Sequence, residues 1–127
     1  MNDIRILLPA GMSLPNANKK VHWRTTWRQQ QAIKDRTYEI AMLMRVRDLG
    51  RATCTAVIHP DVRTRRFDPA NWSPSVKPAI DAAVLAGVLR DDSSKYLTAV
   101  TYVAGAPVPG WRLELVFTPL PGAPATT

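Results

Sequence analysis

The chain has one cysteine, two histidines and two phenylalanines among 127 residues. A lone Cys54 cannot close an internal disulfide and suits a reducing compartment. So few Cys and His residues also leave no zinc-type spacing. No apolar run approaches the ~20 residues of a membrane span, and the N-terminus lacks the apolar core of a signal peptide. No glycine-rich phosphate loop is present, which argues against a nucleotide cofactor. There is no internal repeat. What is there is an apolar fraction of 46%, ordinary for a protein that buries a core. The length predicts one domain that buries roughly two-thirds of its unfolded surface. The expectation is a soluble, cytoplasmic single domain without a membrane partner.

Charge is plentiful but uneven. The formal net charge is +7, from 17 Lys+Arg against 10 Asp+Glu. Residues 1–66 hold 13 basic and 5 acidic side chains, whereas residues 67–127 hold 4 and 5. A basic first half predicts a polyanionic partner, most simply nucleic acid, because phosphates attract Lys and Arg whatever the sequence. Solvated surface charge is the plainer alternative. Acidic residues in a phosphate-binding protein need a reason of their own, and a metal ion is one.

Residues 3–9 read as a short strand ending at Pro9. Residues 10–26 read as a loop carrying Lys19, Lys20, His22, Trp23 and Arg24. A helical pattern runs from about Trp27 to Leu49, with Ile33, Thr37, Ile40 and Met44 on one stripe and Ala41 beside it. Thr26 is the expected N-cap, Gly50 the C-cap glycine, and Arg45 and Arg47 suit the C-terminal dipole. Residues 51–60 alternate as a second strand, with Cys54, Ala56 and Ile58 on one face. After an Arg/Pro/Asp-rich loop, a helix is predicted over 76–88, with Ser75 as N-cap and Pro78 in the first turn. Its buried stripe is Val76, Ile80, Ala83, Val84, Gly87 and Val88. Residues 95–104 and 111–118 read as two strands of an antiparallel hairpin with a long loop. Residues 119–127 read as a disordered Pro/Gly/Ala/Thr tail behind a domain of residues 1–118. The order β-α-β-α-β-β predicts an α/β fold, a single domain with one mixed β-sheet and two main helices.

The segment from Arg63 to Asp92 is the densest in chemistry. Asp68 precedes the second helix, Asp81 lies inside it and Asp91 and Asp92 follow it. A 13-residue helix is about 20 Å long at ~1.5 Å per residue, so Asp68 and Asp92 meet only if the flanking loops fold back to one end. Lys77 and Asp81, spaced i, i+4, share a helix face. Carboxylates of this kind hold Mg²⁺, a hard cation that prefers oxygen. Such a metal activates water and neutralises phosphate charge, and a nearby Lys stabilises the transition state of phosphodiester hydrolysis. Each residue also has a plainer reading: Asp68 as a turn former before Pro69, Asp91 and Asp92 as a solvated turn, Lys77 and Asp81 as a surface ion pair.

The run Arg65-Arg66-Phe67-Asp68-Pro69-Ala70-Asn71, then Lys77 and Asp81, then Ala86-Gly87-Val88-Leu89-Arg90-Asp91-Asp92, resembles the RusA family of Holliday junction resolvases. It is closest to phage- and prophage-type members with an Asp-Pro-x-Asn motif. The opening strand ending in Pro and the Asn-bearing basic loop from Asn16 to Trp23 are similar as well. The resemblance spans roughly residues 4–118 and is most specific over 63–92. It implies a homodimeric, Mg²⁺-dependent endonuclease (Mn²⁺ substituting) that nicks four-way DNA junctions symmetrically in recombination and repair. Carried over by position, Asp68, Asp92 and Lys77 are the catalytic residues. Asp68 and Asp92 bind metal, with Asp91 or Asn71 assisting. The family's second carboxylate is replaced here by Ala70, which cannot bind metal.

The DNA-holding set is Lys19, Lys20, Arg24, Arg63, Arg65 and Arg66. Trp23 and Trp72 stand in predicted loops near basic residues, either stacking on opened bases or covering the sheet or a dimer contact. His59 reads as structural, and Cys54 as a small core residue. Besides the resolvase, two readings stay open. One is a non-catalytic branched-DNA-binding protein in which Ala70 records lost metal chemistry. The other is an unrelated basic assembly protein.

Overall fold

The computed structural model describes residues 3–121. Its centre is β2 (Ala52–His59), in which buried Ala52, Cys54, Ala56 and Ile58 alternate with half-buried residues. β4 (Arg112–Pro119) runs antiparallel on one side of β2, with Cys54 opposite Phe117 and Ile58 opposite Leu113. β3 (Leu97–Ala104) runs parallel on the other side. β1 (Ile4–Leu7) pairs antiparallel with β4 and completes the sheet β1-β4-β2-β3. The predicted mixed sheet, two main helices and element order are present.

The pairing inside that order differs from expectation. β3 and β4 do not form a hairpin; β2 lies between them. Parallel strands need a long crossover, and α2 (Ser73–Leu85) supplies it between β2 and β3. The connection after β3 then passes over the end of β2. Val108 donates to the carbonyl of Pro60 (2.8 Å), and Gly110 donates to the Asp61 carboxylate (2.7 Å).

α1 (Trp23–Met44) begins four residues earlier than expected and ends before Gly50. His22, not Thr26, caps it, its Nδ1 accepting from the Arg24 amide. Arg45 closes it in the left-handed region (φ 57°), so Arg45 and Arg47 lie beyond the last turn, and Gly50 (φ 75°) serves the turn into β2. Ile33, Thr37 and Ala41 are buried, whereas Ile40 is half-buried and Met44 exposed.

α2 also starts early. Its N-cap position is Trp72, and Ser75 instead donates its hydroxyl to the carbonyl of Pro15 (2.7 Å). Pro78 therefore stands inside the helix, where its missing N–H frees the carbonyl of Pro74 four residues back. Gln30 of α1 donates its side-chain amide to that carbonyl (2.9 Å). The helix stops at Gly87 (φ 88°), which was expected inside it. Gly87 donates to Val84 and Val88 to Ala83, the paired bonds of a Schellman C-cap.

One core fills the space between α1, α2 and the sheet, built on Ile6, Ile33, Cys54, Val76, Ile80, Leu115 and Phe117. Pro119 ends β4, and Leu120 still donates to the carbonyl of Arg51, so order continues past the expected domain end. The rest of the predicted tail, 122–127, lies outside the described residues. Among the described residues, no helix is long and apolar enough to cross a membrane.

On the other sheet face, Glu114 accepts from Arg5 (2.8 Å) and meets His59 (2.9 Å), which gives His59 its structural role. A Cβ at Gly105 would lie 2.5 Å from the His59 ring and 2.6 Å from a Val57 methyl. Gly105→Ala should destabilise the fold by about 1–3 kcal/mol in urea unfolding, the range of overpacking; an unchanged midpoint would contradict this crowding. The Gly110 amide, and then Arg63, hold the Asp61 carboxyl at about 2 against the usual 3.8. A depressed carboxyl stabilises the fold above its unfolded value and loses that effect as pH falls. The stability difference between wild type and Asp61→Asn should therefore shrink between pH 3.8 and about 2. A difference independent of pH would show that the carboxyl is not held in this way.

Candidate functional site

α2 carries Lys77 and Asp81 on its outward side, one turn apart, with Lys77 Nζ 3.2 Å from Asp81 Oδ1. The chain after α2 folds back along the helix. The carbonyl of Gly87 accepts from Asp48 and that of Val88 from Leu49, and Arg90 pairs with Asp48 at 2.7 Å. Asp92 thereby reaches Lys77, and Lys77 Nζ donates to Asp92 Oδ2. The chain after α2 thus returns to Lys77, which sets Asp92 beside it.

The pair shifts both groups. The hydrogen bond from Lys77 lowers the Asp92 pKa, and the same bond raises that of Lys77. Both are at least partly open to solvent, with side-chain exposures of 62% and 34%. They border a cleft of about 550 Å³ walled by Gln30, Pro74, Ile80, Val100 and Tyr102. An ammonium that sits between two carboxylates in an open cleft is held extended, with its charge available to an anion that displaces one of them.

Asp68 stands apart from this cluster. It caps the short 3-10 turn Pro69–Trp72, its Oδ1 accepting from the Ala70 amide at 3.1 Å. No hydrogen bond or ion pair among the described residues joins it to Lys77, Asp81 or Asp92. Asn71 uses its backbone: its carbonyl accepts from Ala17 (2.7 Å) and its amide donates to Asp68 (3.0 Å). The Asp91 carboxylate accepts from the Asp92 amide at 2.9 Å. Lys77, Asp81 and Asp92 are therefore gathered, Asp91 turns its carboxylate to the neighbouring backbone, and Asp68 and Asn71 shape the entry to α2.

Among the described residues, no group of three or more His, Cys, Asp and Glu side chains converges as a metal cage. The donors near Lys77 are nevertheless all carboxylate oxygens. Mg²⁺ commonly takes only one or two carboxylates and fills its remaining positions with water and substrate phosphate. The donor chemistry fits such a substrate-completed site.

The basic loop is tied to this end of α2. The Ser75–Pro15 and Ala17–Asn71 bonds hold it there, and Asn16 accepts from the amides of Asn18 and Lys19. Lys19, Lys20 and Arg24 are exposed and have no carboxylate partner among the described residues. Arg65 and Arg66 are likewise exposed and unpaired among them, whereas Arg63 is bonded to Asp61 at 3.0 Å. Cys54 is fully buried, and burial pushes its thiol up to about 12, which excludes a nucleophile.

The tryptophans divide. Trp72 is buried, stacked on Trp111 at 4.7 Å with Phe67 edge-on to both, so it covers the core. Trp23 is exposed at the start of α1, with Trp27 one turn on. Trp27, spaced i, i+4 from Trp23, shares its side of the helix.

Lys77→Met should return the Asp92 carboxyl upward toward 3.8 in a carboxyl-carbon NMR titration; an unmoved titration would rule out Lys77 as the cause. No protein-family model matches the sequence, and no curated protein matches it.

Proposed function

We propose that this protein is a structure-specific endonuclease that resolves four-way DNA junctions by paired symmetric nicks, with Mg²⁺ or Mn²⁺, in DNA recombination or repair. The observation that carries this reading is the Lys77–Asp92 pair, with Asp81 beside it, in an open cleft of a strongly basic domain. Asp92 stays ionised and Lys77 stays protonated at neutral pH, as the direction of each shift requires. Asp92, with Asp91 next to it in the chain, is the carboxylate that would hold the metal, water and substrate phosphate completing the shell; Asp68 and Asn71, which the family resemblance adds to the set, stand apart from Lys77 and Asp92. The chemistry supplied by bound metal is an activated water and neutralised phosphate charge. Lys77 turns its ammonium from Asp92 to the scissile phosphate and stabilises the charge that develops there. Lys19, Lys20, Arg24, Arg63, Arg65 and Arg66 grip the flanking phosphates. Paired nicks require two such sites, and a two-fold homodimer matches the symmetry of the junction. The lone cysteine agrees with work in a cytoplasm, the host's if the chain is phage-encoded.

A second reading is a branched-DNA-binding protein without cleavage. Ala70 and the separation of Asp68 from the Lys77 cluster favour it. A labelled four-way junction incubated with Mg²⁺ or with EDTA distinguishes the two. Symmetric nicks that need the metal, and that fall about a hundredfold or more in Asp92→Asn and Lys77→Ala, are expected. Junction binding without cleavage would leave the second reading. Equal, weak binding to junction and linear duplex would remove both.

A further inference from the structure

Residues 4–34 contain no Asp or Glu. Within them, the first turns of α1 carry two exposed tryptophans, Trp23 at 66% and Trp27 at 57% exposure. Burial on this helix begins only at Ile33, so its first turns stand off the core and the rings have no part in packing it. Large aromatic surface left in water in this way marks a contact site. Trp23 and Trp27 form one row on the helix, and Arg24 and Arg28 the neighbouring row. None of Lys19, Lys20, Arg24 and Arg28 has a carboxylate partner among the described residues. His22 stacks on Trp23 at 5.8 Å from the loop side, and the Arg24 guanidinium lies 5.3 Å from the Trp23 ring centre. One α-helical turn separates the two tryptophans by ~6 Å along the axis. That is close to twice the ~3.4 Å spacing of successive bases in a strand.

We infer that Trp23 and Trp27 form a stacking platform for unpaired bases, with Lys19, Lys20, Arg24 and Arg28 holding the phosphates of the same strand. Charge decides the occupant. A patch of cations without a single acid attracts a polyanion, and indole faces accept any base, so single-stranded nucleic acid suits it. A second copy of this chain would bring the same positive charge against itself. The inference rests on the nucleic-acid reading above and adds what that reading lacks: a device that prefers opened strands to closed duplex. A duplex hides its base faces and offers only phosphates to the patch.

The test compares wild type with Trp23→Ala/Trp27→Ala on a short oligothymidylate and on a linear duplex of equal length. Both substitutions lie on solvated helix surface, and an unchanged circular dichroism spectrum verifies the fold. Binding of the oligothymidylate should quench tryptophan emission in wild type and not in the double variant, whose remaining Trp72 and Trp111 lie in the core cluster. Its affinity for the oligothymidylate should fall about tenfold or more, as loss of base stacking predicts. Duplex affinity should stay the same, and Trp23→Phe/Trp27→Phe should recover part of the loss. An unchanged oligothymidylate affinity alongside intact duplex binding overturns the platform and leaves the nucleic-acid reading standing. Wild type that binds neither polymer overturns both. A wild-type dimer that the double variant converts to monomer in sedimentation would assign the patch to self-association and overturn the platform.

Discussion

The candidate site depends on α2 being held against α1 through a buried face. Val76, Ala79, Ala82 and Ala83 of α2 are all essentially inaccessible to solvent. Short side chains on that face let the neighbouring elements approach, and close packing then leaves α2 little freedom to roll or slide. Its outward row, with Lys77 and Asp81, is held in place as a consequence. Larger residues at the contact would lift the helix and the site with it.

Both ends of α2 are fastened by polar bonds that substitute for ordinary helix continuation. At the C-terminal end, Gly87 takes the left-handed conformation that reverses the chain, and Asp48 secures the reversal through its amide and its pairing with Arg90. At the N-terminal end, Pro78 removes a backbone donor and Gln30 supplies another from α1. Ser75 and Asn71 meanwhile bind the basic loop. These attachments bring two remote segments, the loop at residues 15–20 and the turn at 91–92, to the flanks of one helix.

The electrostatics follow from that convergence. Lys77 is stabilised as the cation by its bond to Asp92, and Asp92 as the anion by the same bond. The cations without a carboxylate partner among the described residues lie elsewhere, on the basic loop, the start of α1 and at Arg65 and Arg66. A phosphate chain drawn to them passes a surface where a single ammonium is partly neutralised by its own carboxylates. Attraction and chemistry are thus carried by different residues. Asp68 belongs to neither group; its carboxylate is spent on the backbone of the turn that starts α2, where Ala70 contributes an amide rather than a ligand.

Element types and order were legible because they rest on local periodicity. The alternation over residues 52–58 and the stripe from Ile33 to Ala41 mark burial wherever the segment packs. Ends were less legible. Helix capping by His22 and Arg45 breaks the usual preferences, and Ser75, a good cap by type, found a better partner in Pro15. Adjacency in sequence favours a hairpin of residues 95–104 with 111–118, whereas the α2 crossover places β3 on the far side of β2 from β4. By itself the sequence determined the mixed α/β class, the basic surface and the i, i+4 pairing of Lys77 with Asp81, all set by short-range spacing and composition. Only the tertiary structure decided that Asp92 joins Lys77 while Asp68 does not, that Trp72 is core, and that Trp23 and Trp27 face water. Those outcomes depend on where distant segments meet, and no local pattern encodes that distance.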